Sequence, residues 1–137
     1  MSSKHWGALA VFCGLLLAAM PVMAHHSVAS EFNLDDKPVT FTGTLTQMEF
    51  VNPHSFLHLE VTNADGTKTT WTFLTTAAGT LRQKGLARAE NGGLAVGMKL
   101  DITAALAKNG KPFGYIRTIK MPDGRVITVW YGDPNGN

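Results

Sequence analysis

The chain has 137 residues, 45% of them hydrophobic and 16% charged, with 12 basic and 10 acidic side chains. That apolar share excludes a disordered chain, and the length supports one modest core rather than several. The charge is nearly balanced and forms no basic stripe, which argues against a nucleic-acid partner.

Residues 1–24 read as a cleavable secretory signal. Lys4 and His5 form the polar start, Ala8 to Ala19 the apolar run, and Pro21 the break. Val22-Met23-Ala24 then supplies the residues expected before the cut. Phe12 stands where a lipoprotein would need a small residue before Cys13, so the cysteine is not read as a lipid anchor. Cleavage of 24 residues leaves 113, beginning His25-His26-Ser27 and lacking cysteine altogether. Disulfides, a thiolate nucleophile and cysteine-ligated zinc are excluded with it. No later run reaches the ~20 apolar residues of a membrane span, so the expected product is exported to the periplasm without membrane insertion.

Residues 25–38 form an N-terminal arm with little periodicity, expected to lie on the surface or to dock through Phe32. The domain proper runs over 39–131, followed by a frayed tail at 132–137. From Val39 to Val51, apolar residues alternate with threonines, and the phase slips by one between Leu45 and Met48. That slip predicts a β-bulge, with Gly43 nearby to permit a bend. A second strand is expected from His54 to Thr62, with Leu57, Leu59 and Val61 on one face. Asn63-Ala64-Asp65-Gly66 turns it into a third, Lys68 to Thr75, which places Trp71 and Phe73 together. A short helix follows, capped by Thr75 or Thr76, facing the core with Leu81 and stopped by Gly85. Three more strands are expected: Lys99 to Leu106 with Leu100, Ile102, Ala104 and Leu106 inward, then Tyr115 to Met121, then Arg125 to Tyr131. Three strands, one helix, then more strands predict an all-β fold with one short helix, an OB-fold-like small β-barrel. A β-sandwich would leave the single helix unexplained.

Several segments resemble a family of exported bacterial proteins known as domain of unknown function 6152. They are Ala24-His25-His26-Ser27, Glu49-Phe50-Val51-Asn52-Pro53-His54, Asp65-Gly66, Leu81-Arg82 with Gly85, and Pro122-Asp123-Gly124-Arg125. The resemblance spans nearly the whole mature chain. It implies export and an OB-like β-domain, and it assigns no catalytic residue.

The four histidines after residue 24 fall in two places, His25 with His26 and His54 with His58. As residue one, His25 would offer its α-amine and Nδ1 to the same ion. An α-amine titrates at about 7.7–8.0, so it frees a lone pair more readily than lysine does. A third imidazole nitrogen would complete a planar nitrogen set of the kind that favours Cu(II). His54 and His58, four apart on a strand, lie about 13 Å apart at roughly 3.3 Å per residue and cannot share an ion. His54, just after Pro53 at the strand's start, is the expected third ligand, with His26 as the local alternative. The competing expectation is a metal-free module that holds a periplasmic protein, peptide or small ligand on the barrel face, with Phe56, His58 and Thr70 exposed. Trp71, Trp130 and Tyr131 are further aromatic candidates for a groove. No serine lies in a Gly-x-Ser-x-Gly context, and Gly92-Gly93 lacks the partners of a phosphate loop. The sequence thus predicts a binding protein rather than an enzyme.

Overall fold

A computed structural model describes residues 28–87 and 89–130. The signal segment, His25, His26, Tyr131 and the tail at 132–137 lie outside the described residues. In chain order come α1 (Val28–Glu31), β1 (Val39–Glu49), β2 (Phe56–Thr62), β3 (Lys68–Leu74) and α2 (Ala78–Gln83). A 3-10 turn (Ala89–Asn91), β4 (Lys99–Leu106), β5 (Phe113–Lys120) and β6 (Val126–Thr128) complete the order.

The strands form one six-stranded sheet in the order β3-β2-β1-β4-β5-β6. Parallel pairing of Thr72–Leu74 with Phe113–Tyr115 then joins β3 to β5 and closes the first five strands into a barrel. The expected all-β small barrel is what forms, with α2 between β3 and β4 where the helix was expected. Closure removes the exposed edges that an open sheet would carry. Gly114 eases the fit at the seam, because a Cβ there would lie 3.1 Å from Phe73 Cδ1 and from Ala104 Cβ, and both would have to give by a few tenths of an ångström.

Alternation within the strands fills the barrel. Leu45, Leu57, Leu59, Phe73, Leu100, Ile102, Ile116 and Ile119 are all buried in one cluster, with Leu81 of α2 closing one end. Phe41 lies 4.2 Å from Trp71 and 5.5 Å from Phe73 between ring centroids, and Trp71 stacks on Phe73 at 6.0 Å. The expected bulge is present, since Leu45 opposes Leu59 while Gln47 opposes His58, which leaves Thr46 as the extra residue.

The structure departs from the sequence reading at several boundaries, each for a tertiary reason. A second helix, α1, occurs in the arm, and Phe32 does not dock alone. Phe32 is fully buried in a second cluster with Leu74, Ala105, Ala107 and Tyr115, and Val28 and Leu34 pack against it. The α2 N-cap is Ala77, with no side-chain cap, rather than Thr75 or Thr76. Thr75 is buried, so its hydroxyl faces inward instead of capping the helix. β2 begins at Phe56 and not at His54, because residues 52–55 form a turn with a cis Asn52–Pro53 bond. β5 begins earlier than expected, drawn out by the seam with β3. In β5 Arg117 is an unpaired bulge residue between Ile116, opposite Ala104, and Thr118, opposite Thr103. Along β4 the alternation holds through Ala104, but Ala105 on the opposite face is also buried, in the cluster with Phe32, and Leu106 is only half-buried. The β5 bulge leaves its mark on the next strand. It shortens β6, because Val129 and Trp130 both donate their N–H groups to the Arg117 carbonyl, at 2.8 and 3.2 Å.

Candidate functional site

The turn after β1 brings its own polar chemistry to the surface. Ser55, fully buried, donates its hydroxyl to the Val51 carbonyl at 3.1 Å and accepts from the Val51 N–H at 3.3 Å. Its backbone is tied as well, with Ser55 N–H to Thr76 O at 3.0 Å and Thr75 N–H to Ser55 O at 2.9 Å. One side chain thus closes the loop that presents His54. Sequence reasoning missed this role, and the only signal was a small polar residue two places before the first inward leucine. Ser55→Ala is expected to cost ~1 kcal/mol, the usual net worth of a buried hydrogen bond. A urea midpoint indistinguishable from that of the unmodified protein would show that the hydroxyl does not hold the loop.

His54 and His58 end up in different environments. His54 Nδ1 lies 3.1 Å from the Thr75 carbonyl. A carbonyl only accepts, so Nδ1 carries the proton and Nε2 keeps its lone pair free for a ligand. His58 is engaged at both nitrogens, with Nε2 at 3.0 Å from Glu49 Oε1 and Nδ1 at 3.1 Å from Thr72 Oγ1. The carboxylate accepts from Nε2, and in the neutral ring the Thr72 hydroxyl donates to Nδ1. Glu49 also accepts from Gln47 Nε2 at 3.0 Å, so this is a four-residue chain on the outer face of β1–β3. His58 offers no spare lone pair there, whereas His54 does.

A cleft of about 390 Å³ lies beside His54, lined by Val28 and Glu31 of α1, by residues 51–53, and by Phe56, Leu74 and Phe113. Among the described residues it brings together the one histidine with a ring nitrogen left unengaged, a carboxylate, and the first described residues of the arm. Of the three face candidates, only Phe56 reaches it. His58 is held as described, and Thr70 is exposed opposite Glu60. Among the described residues no three histidine, cysteine, aspartate or glutamate side chains gather in a metal-binding group. His25 and His26, the other expected ligands, lie outside the described residues.

Of the remaining aromatic candidates, Tyr131 lies outside the described residues, and Trp71 and Trp130 both pack against other rings. Trp71 stacks in the barrel, as above, and Trp130 meets Tyr115 edge-on at 5.4 Å. Burial among these rings pushes the Tyr115 phenol above its usual pKa. The Arg117 guanidinium lies over the Trp130 ring at 5.1 Å and donates through Nη2 to the Leu34 carbonyl. A second cleft of about 430 Å³ opens there, lined among others by Asn33, Asp35, Lys108, Arg117 and Trp130.

Fold and site together define a small closed β-barrel with residues 28–38 of the arm against its outside, beside a histidine with one ring nitrogen unengaged among the described residues. The sequence pattern of the family of unknown function DUF6152 matches residues 13–116, well over half of the chain, and the chain belongs to that family. No curated protein and no solved structure matches it.

Proposed function

We propose that this chain is an exported, periplasmic copper-binding protein without catalytic activity, in which the amine and imidazole of His25 act with His54. The observation that carries this reading is that His54 and Val28, the first described residue of the arm, line the same cleft. After cleavage at Ala24, only His25, His26 and Ser27 separate the new terminus from Val28. Three residues reach at most about 10 Å, which keeps the amine within the neighbourhood of His54. The Nδ1–H bond from His54 to Thr75 supports it further, because metal-ligating imidazoles are characteristically oriented through their second nitrogen. Glu31, on the same cleft, supplies a carboxylate that can accept from or ligate at the open side. His26 remains the local substitute for His54.

The test is a Cu(II) titration followed by electron paramagnetic resonance, on protein whose intact mass confirms a His25 start. One equivalent should bind with a nitrogen-rich signal. His54→Ala should remove one nitrogen from that signal and weaken binding by at least about tenfold, which is ~1.4 kcal/mol. His58→Ala should leave both unchanged. Equal, weak binding in all three proteins sinks the copper reading. The outer face of β1–β3 would then be the place to look, where the Gln47–Glu49–His58–Thr72 chain is preorganised and Thr70 is exposed to meet a partner.

A further inference from the structure

The cleft of about 430 Å³ beside Trp130 shares no lining residue with the His54 cleft, and its chemistry is different. Lys108 and Arg117 line it together with Asp35 and Asp36, which sit on the bend before β1. Opposite charges around one cleft ordinarily pair, yet the ion pairs among the described residues all lie elsewhere. Both cations are held by neutral groups instead. Lys108 Nζ donates to the Ala29 carbonyl at 2.8 Å, while Arg117 stacks on Trp130 and donates to the Leu34 carbonyl.

Arg117 is the most informative of these side chains. A guanidinium carries five N–H donors and a permanent charge. Here it is half-buried, and its Nε is shielded from solvent with no hydrogen-bond acceptor. A charge withdrawn from water without a counter-ion costs stability, which a purely structural arginine avoids by pairing. The bulge in β5 is what sends the side chain there, since Arg117 has no partner in the ladder. An arginine stacked on an aromatic face and lining a cleft suits a carboxylate, which its fork can bind through two parallel N–H bonds. The aspartates supply the opposite requirement. They repel a free phosphate or a dicarboxylate and attract an ammonium, so the lining of two cations and two anions matches a ligand that carries both charges. Asn33, on the same cleft, adds an amide that both donates and accepts, as a peptide bond does.

We propose that this cleft binds a short peptide with free ends, its carboxylate on Arg117 and Lys108 and its ammonium on Asp35 and Asp36. The cleft volume lies in the range of small-molecule sites. The proposal does not depend on the copper reading, because none of the proposed metal ligands lines this cleft.

The experiment is a titration with dialanine, followed through the Trp130 indole N–H resonance of isotope-labelled protein. The resonance should shift saturably, with a Kd on the order of 1 mM or below. N-acetyldialanine, which lacks the ammonium, and dialanine amide, which lacks the carboxylate, should each bind at least about tenfold more weakly. Arg117→Lys keeps the charge but loses the fork, and should weaken dialanine binding about tenfold. Should that variant fail to fold, Asp35→Asn combined with Asp36→Asn decides the matter, because both positions are exposed. The double variant should bind dialanine no better than the unmodified protein binds N-acetyldialanine. No saturable shift up to about 20 mM dialanine overturns the site. Equal affinity for dialanine and its two blocked forms, or tighter binding of inorganic phosphate, overturns the peptide as its ligand.

Discussion

Acetylating the α-amine of His25 is expected to weaken Cu(II) binding by at least about a hundredfold, or ~2.7 kcal/mol. The amide that results has its nitrogen lone pair delocalised into the carbonyl and is no longer a ready ligand. Its loss removes the chelate in which one residue supplies two donors, the second bond forming at the high effective concentration of a short tether. Acetylation is preferable to an added residue, because an alanine ahead of His25 would put His26 third from a free amine and build a new chelate. The pH dependence should change with it. A free α-amine must lose its proton to bind, so affinity should rise with pH until about 7.7–8.0 and then level. In the acetylated protein the part of that rise due to the amine should be gone. Semisynthetic protein, measured by copper competition across that range, checks both statements. Equal affinity with and without the acetyl group would remove the terminal amine from the site.

Phe73→Ala should produce the largest loss of stability, about 3–5 kcal/mol. Phe73 is fully buried, stacked on Trp71 and tilted against Phe41, and it lies on the seam where it pairs with Gly114. The cavity left by truncation cannot collapse easily, because both seam strands are fixed by further ladders, β3 to β2 and β5 to β4. Domains of this size have only about 5–15 kcal/mol in total, so the variant should lose a large fraction of its stability. At a urea slope of ~2 kcal/mol per molar, the midpoint should fall by roughly 2 M with the slope unchanged. A loss under ~1 kcal/mol would mean the barrel interior is not organised around this ring.

The strands were legible because their signal is local. Lys99–Leu106 carries period-2 alternation and matches β4 end to end, and the phase slip between Leu45 and Met48 announced the bulge at Thr46. The Asp65-Gly66 turn was equally local. Its aspartate accepts from the hydroxyl and the backbone N–H of Thr67, which holds its pKa below the usual range. Apart from the Ser55 hydroxyl, which bonds Val51 four residues away, the missed features depend on distant partners. Nothing near Thr75 says that its hydroxyl will be buried and leave the cap to Ala77. The same holds for Arg117, whose bulge is defined against Thr103 and Ala104 on another strand and whose hydrogen-bond acceptor, Leu34, lies 83 residues away.

For the candidate site the division is sharper. His54 stood out by residue type and by its place just after Pro53, but the sequence does not say which ring nitrogens of His54 and His58 are engaged. Two hydrogen bonds consume the ring nitrogens of His58, and one orients His54, and all of these partners but Glu49 lie beyond the Asp65-Gly66 turn. The sequence by itself determined the strand alternation, the tight turns and the donor types, because these depend on side-chain size, backbone dihedrals and ionisation at single positions. Only the tertiary structure decided that β3 closes on β5, that Phe32 is buried against the barrel, and that Val28 and His54 share a cleft. Those are contacts between residues far apart in the chain, and they are chosen by the apolar area they bury together rather than by any local preference.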